Sequence, residues 1–198
     1  MEKLNFQELT ECNPVLECAP IVYLYRMTDS CYPYLMTKEK HDANVAKANE
    51  IMSLYRDNKL DYDLAVKRLE TINIAYLKEF KRELVDAGLS LKTIEAHVSN
   101  ADFFVNVYLF HSMDATLYDG GSGFMDFFGY FYIYKCMFAS VSNMKQQIAS
   151  LKKFYAFMFQ HLYISPEQYA TVITTIKDCK DMWLEEMKEY DRKIFGDF

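Results

Sequence analysis

From about Asp42 onward the apolar residues recur with the period of an α-helix. Val45, Ala48, Met52 and Tyr55 fall at i, i+3, i+7 and i+10 and line one face of a first helix. Asn58-Lys59 breaks the pattern, and Asp61 offers a carboxylate to cap the next helix. Leu69, Ile72, Tyr76, Phe80 and Leu84 form its stripe, and Gly88 stands where a left-handed residue ends a helix. Ser90 opens a third helix with Ile94, Val98, Ala101, Val105 and Tyr108 as its apolar face. Asp119-Gly-Gly-Ser-Gly123 reads as a loop. The ring-rich run Phe124–Phe138 predicts a helix buried over most of its surface. Ser140 or Ser142 caps the following helix, whose stripe is Met144, Ile148, Leu151, Tyr155 and Met158. Ser165-Pro-Glu-Gln168 joins a serine cap, a proline at the first helical position and a glutamine at the capping-box position. Tyr169, Val172, Ile176, Trp183, Met187 and Tyr190 then share one face. The pattern predicts an all-α bundle of about six helices.

Residues 1–41 depart from this period. They hold Pro14, Pro20 and Pro33, which oppose a long helix, around a short apolar run at Ile21–Tyr25. They predict an irregular arm, followed by a helical extension over 42–75, a central block over 76–163 and an amphipathic C-terminal helix over 164–198 on the same core. Sixteen tyrosines, fifteen phenylalanines and one tryptophan predict a ring-rich core with tyrosine hydroxyls reaching partners or water. Six glycines and four prolines leave room for long helices.

Charge changes the picture more than composition does. The net charge is −6, which opposes non-specific binding to a polyanion. Residues 76–164 carry eight basic and eight acidic side chains, whereas both flanks are acidic. The middle of the chain is therefore neutral and can hold a local basic face. The five cysteines, Cys12, Cys18, Cys31, Cys136 and Cys179, are irregularly spaced, and Met1–Thr10 is polar and acidic rather than a secretory leader. Free thiols in a cytoplasmic protein are the expectation. The longest uncharged run, Phe154–Pro166, is short of the roughly 20 apolar residues of a membrane helix.

Candidate chemistry is sparse. His41, His97, His111 and His161 are scattered, and the gaps among Cys12, Cys18, Cys31 and His41 match no common zinc pattern. Gly120, Gly121 and Gly123 lack the strand before and the lysine after that a phosphate-binding loop requires. No nucleophile elbow or dinucleotide fingerprint occurs. The reading is a non-enzyme with no cofactor, no metal and no evident small-molecule substrate.

Two blocks carry more than periodicity. YLKEFKRELVDAGLSLKTIEAHVSNADFFVNVYL, from Tyr76 to Leu109, has a first helix, a Gly-Leu-Ser turn, a Lys-Thr-Ile helix start and a Phe-Phe pair. SVSNMKQQIASLKKFYAFM, from Ser140 to Met158, has a serine opening and a Leu-Lys-Lys-Phe-Tyr close. Together they resemble the SAM-like, core-binding N-terminal domain of phage integrases and tyrosine recombinases, over about 76–163. The resemblance implies an all-α unit that grips duplex DNA with two helices. It carries DNA contacts onto Ser90, Lys92, Thr93 and Asn100 of one helix, and onto Ser142, Lys145, Gln146, Lys152 and Lys153 of the other. Lys145 and Lys152 are seven apart and lie opposite the apolar stripe. Glu95 and Asp102 share the polar face of the first helix and oppose phosphate. The arginine-rich catalytic domain of the recombinases has no counterpart in the residues after the block, where Arg192 is the one arginine, so the resemblance implies no strand cleavage. Two readings follow: a non-catalytic DNA-binding or DNA-associated protein with weak, salt-sensitive binding, or a helical protein–protein interaction module that keeps the fold without DNA.

Overall fold

Six helices follow one another in the computed structural model, which describes residues 35–196; no strand occurs among the described residues. Helix α1 spans Lys38–Arg56 and α2 spans Tyr62–Asp86. Helix α3 covers 91–112: an α-helix at Leu91–Asp102, a π-helical segment at Phe103–Tyr108 and a last α turn at Leu109–Ser112. Helix α4 covers 124–135 and also contains a π segment, Phe127–Phe131, between Phe124–Asp126 and Tyr132–Lys135. Helix α5 is Val141–Gln160 and α6 is Pro166–Phe195. The all-α expectation holds. From Met36 on the chain is one compact unit. The expected arm, with its prolines, Ile21–Tyr25 and Cys12, Cys18 and Cys31, lies outside the described residues apart from its last few positions.

Capping chemistry sets the boundaries. Thr37 accepts from the Lys40 amide and starts α1 at Lys38, four residues before the apolar period becomes visible at Asp42. Residues 38–41 are therefore helix rather than irregular arm. Asp61 accepts from the amides of Asp63 and Leu64, Ser90 from that of Thr93, and Ser140, rather than Ser142, from that of Asn143. At Ser165 both halves of the capping box form with Gln168. Helices α1, α2 and α5 each end in a Schellman motif, closed by bonds such as Leu89 N–H to the Leu84 carbonyl. The left-handed residues are Asn58, Gly88 and Leu162.

The core is built from rings. Phe104, Phe124, Phe127, Phe128, Phe154, Tyr155 and Trp183 are at most 1% exposed. The two π segments face each other, with Phe104–Phe127 at 5.0 Å and Tyr108–Phe127 at 4.8 Å between centroids. A π turn closes i to i+5 and so inserts a residue. Phe104, Val105, Tyr108 and Leu109, which span that insertion, are all buried. Val98, expected in the stripe, is only half-buried. The displaced backbone is satisfied from α2: the Asn73 amide donates to the Val105 carbonyl at 3.0 Å and to Asn106 Oδ1 at 2.9 Å. Helix α4 is less enclosed than its ring content suggests, because Met125, Tyr130 and Tyr134 are exposed.

The glycine turn is a close contact rather than a hinge. A Cβ at Gly120 would stand 2.9 Å from the Gln168 carbonyl oxygen, and one at Gly121 would stand 3.0 Å from Val172 Cα. Gly120 also has φ 64° and ψ −134°, a conformation reserved almost wholly for glycine. Gly120→Ala should therefore cost about 2–4 kcal/mol through backbone strain and overpacking, read as a fall in the denaturant midpoint. Leu162 is the opposite case, with φ 61° on a side chain 60% exposed. Leu162→Gly should raise stability by about 1 kcal/mol, because a left-handed backbone costs glycine nothing and little apolar area is lost. An unchanged or lower melting temperature would contradict this.

Candidate functional site

Helices α3 and α5 pack side by side, and the seam between them is polar. The His97 ring nitrogen Nδ1 and the Asn100 amide each meet Ser150 Oγ at 2.9 Å, and Gln147 Nε2 donates to the Asn100 carbonyl at 2.7 Å. Rising numbers on one helix meet falling numbers on the other, so the pair is antiparallel. Gln147 and Ser150 are each 1% exposed, and their bonds satisfy groups that would otherwise be costly to bury. Burial, with the nearby Lys153 charge, holds His97 below the ordinary imidazole value.

This geometry sorts the residues expected to contact DNA. Asn100 is turned into the seam and spends its amide on Ser150. Ser90 and Thr93 are exposed, but Ser90 Oγ is engaged as the cap of α3 and meets Thr93 Oγ1 at 2.9 Å. Lys92 is exposed beside them. On α5, Ser142, Lys145, Gln146, Lys152 and Lys153 are all exposed. At 100° per residue, Lys145 and Lys152 share one flank of that face, whereas Gln146 and Lys153 share the flank next to α3. No Asp or Glu occurs between Asp126 and Glu167. The acids of α3 lie away from this surface: Asp102 accepts from Asn106 at 2.7 Å, and Asn106 in turn is held by Asn73 of α2. Glu95, seven residues earlier, shares the flank of Asp102.

A second cluster had no counterpart in the expected sites. The hydroxyl of Tyr118 donates to Tyr76 Oη at 3.0 Å, and Tyr76 Oη lies 3.0 Å from His41 Nδ1. Tyr163 donates to Glu79 Oε2 at 2.7 Å, and the His161 ring meets Glu83 at 2.5 Å. His41 stacks on Tyr163 with centroids 5.0 Å apart. Burial raises Glu79 above the usual carboxylate range, against the opposing pull of the Tyr163 bond. It also lifts Tyr163 well above an ordinary phenol, helped by Glu79, and lowers His41. The cluster fastens α1, the 117–119 turn and the α5–α6 connection to α2. One signal was visible in the sequence: Glu79 and Glu83 sit one turn apart beside the Tyr76–Phe80–Leu84 stripe, where carboxylates are rarely found unpartnered. Their partners, Tyr163 and His161, come from 84 and 78 residues away and no spacing announces them.

Among the described residues no three His, Cys, Asp or Glu side chains gather to hold a metal ion. Cys136 is buried, and burial pushes its thiol up to about 11. Cys179 is half-buried. No helix among the described residues is long and apolar enough to cross a membrane.

The two lowered histidines give the stability a defined pH dependence. Charging His41 or His97 costs more in the folded chain than in the unfolded one. Their contribution is therefore complete above the ordinary value of 6.5 and is lost as the pH falls through the lower folded values. Glu79 has the opposite sign in its own window, so the histidine effect is best read as a difference between variants. The melting temperature of the parent should fall between about pH 7 and about pH 5. His97→Gln, which keeps an amide for Ser150, should flatten that fall; an identical profile would remove His97 from the account.

Comparison of the chain with family models, with curated proteins and with solved structures returns no match. The resemblance over residues 76–163 thus rests on its own residues.

Proposed function

We propose that the α3–α5 surface is a non-catalytic DNA-binding face, used in the manner of the core-binding domain that residues 76–163 resemble. One observation carries the reading. The exposed side of α5 presents Lys145, Lys152 and Lys153 within a stretch free of carboxylates, beside an antiparallel α3 whose acids lie on the flank away from the seam. An acidic chain that confines three lysines to one uncontested helix face has the charge pattern of a local phosphate contact. Asn100 drops out of the contact set, because its amide is committed to the seam. Ser142, Gln146, Lys92 and Thr93 remain available at the edges.

The second reading, a helical protein–protein interaction module, draws on exposed apolar groups. Met137 is fully exposed and Phe138 half exposed at the α4–α5 connection, and Tyr130 and Tyr134 are exposed on α4. Such rings are more typical of a protein contact than of a phosphate contact.

Titration of labelled duplex at low salt separates the two readings by mobility shift. Three or four lysine contacts predict weak binding with a log–log salt slope of about −3. Lys145→Glu with Lys152→Glu should abolish binding and leave the helical content and melting temperature unchanged, since both side chains are exposed. Absence of binding at low salt, or a double variant that binds like the parent, ends the DNA reading in favour of the interaction module.

A further inference from the structure

The C-terminal half of α6 and the end of α4 form a corner that the DNA reading does not use. The rings of Tyr134 and Tyr190 stand at 83° with centroids 5.1 Å apart, and Tyr130 lies 5.4 Å from Tyr134. Tyr134 and Tyr190 border a cleft of about 450 Å³ lined also by Glu186, Glu189, Lys193 and Ile194. The Tyr134 hydroxyl donates to Glu186 Oε1 at 3.3 Å. Glu189 is neutralised by Arg192 at 2.5 Å, whereas Glu186 has no ion pair among the described residues. Its charge is held in place by a neutral tyrosine.

Two rings packed edge to face and a carboxylate without an ion pair among the described residues line this cleft, a combination complementary to a soft, weakly hydrated cation. A ring face attracts an ammonium group through its quadrupole, and a carboxylate behind it supplies the full opposing charge. The same tyrosine row already attracts a cation at its other end, where Lys135 Nζ lies 5.5 Å from the centroid of Tyr130. We propose that this corner binds an alkylammonium group, either free or carried on an N-methylated lysine of a partner. Lys193 is the one basic side chain among the described residues that line the cleft, and it competes with the ligand. The site is independent of the α3–α5 face, so failure of one leaves the other standing.

The test is a titration of the full chain followed through the tyrosine ring proton shifts, with choline as the probe and its uncharged carbon analogue as control. Choline should give saturable shifts and the analogue none. Glu186→Gln, isosteric and on the surface, should weaken choline about tenfold, and Tyr134→Ala should do at least as much. Lys193→Ala should tighten it. A peptide bearing trimethyllysine distinguishes the two sources: tighter binding than choline assigns the corner to a protein partner, and weaker binding assigns it to a free ligand. Equal shifts with choline and its carbon analogue, or unchanged affinity in Glu186→Gln, would overturn the proposal. So would the absence of any saturable shift.

Discussion

The packing of this protein depends on how closely the 120–123 turn approaches the backbone of α6. A Cβ on Gly120 would come closer to the Gln168 carbonyl oxygen than side chains do, and one on Gly121 would crowd Val172. That approach lets α4 leave the turn already seated on α6, with Phe128 against Trp183 at 4.8 Å, while Phe124 meets Tyr155 of α5 at 5.7 Å. The π segments of α3 and α4 then bring their rings together without a void between them. Close packing at this density transmits small displacements, so the ring layer holds its order through the turn as much as through its own contacts.

Polar groups inside the body are handled by specific partners rather than avoided. Asn73 serves the π segment of α3, Gln147 and Ser150 serve the α3–α5 seam, and Glu79 is met by Tyr163. All four are under 9% exposed. Partnered in this way, they fix which helix faces which, since an apolar seam would tolerate slippage where a hydrogen-bonded one does not. The Tyr155 hydroxyl and the Trp183 ring nitrogen are the exceptions, buried without a hydrogen-bond partner among the described residues. The lysines of α5 make none of these internal hydrogen bonds and stand exposed.

Much of the fold was legible in the sequence because helix ends are local chemistry. Asp61, Ser90, Ser165 and Gly88 announce their roles within three or four residues, and the stripe of α2 is buried at every expected position. The π segments were not legible, because an inserted residue leaves a stripe that still looks helical on both sides. The onset of α1 was missed for a related reason: Thr37 and the first turn are polar, so the helix begins before its apolar period does. At the α3–α5 surface the lysines could be placed from spacing alone. The inward turn of Asn100 and the outward flank of Asp102 could not, because each is decided by a residue from another helix. The His41–Tyr76–Tyr163–Glu79 cluster is the extreme case, assembled wholly by tertiary contacts.

Trp183 is the one tryptophan in the chain. Its indole is fully buried against Phe128 at the α4–α6 seam, with no hydrogen-bond partner for its ring nitrogen among the described residues and Gly129 alongside. The molecule therefore carries a native optical label at the contact its packing depends on. Emission above the tyrosine band comes from this one position. Loosening of α4 from α6 admits water to that indole and shifts its colour, whatever happens at the distant α1–α2 end. In spectroscopic terms the fold reports on its own seam without modification.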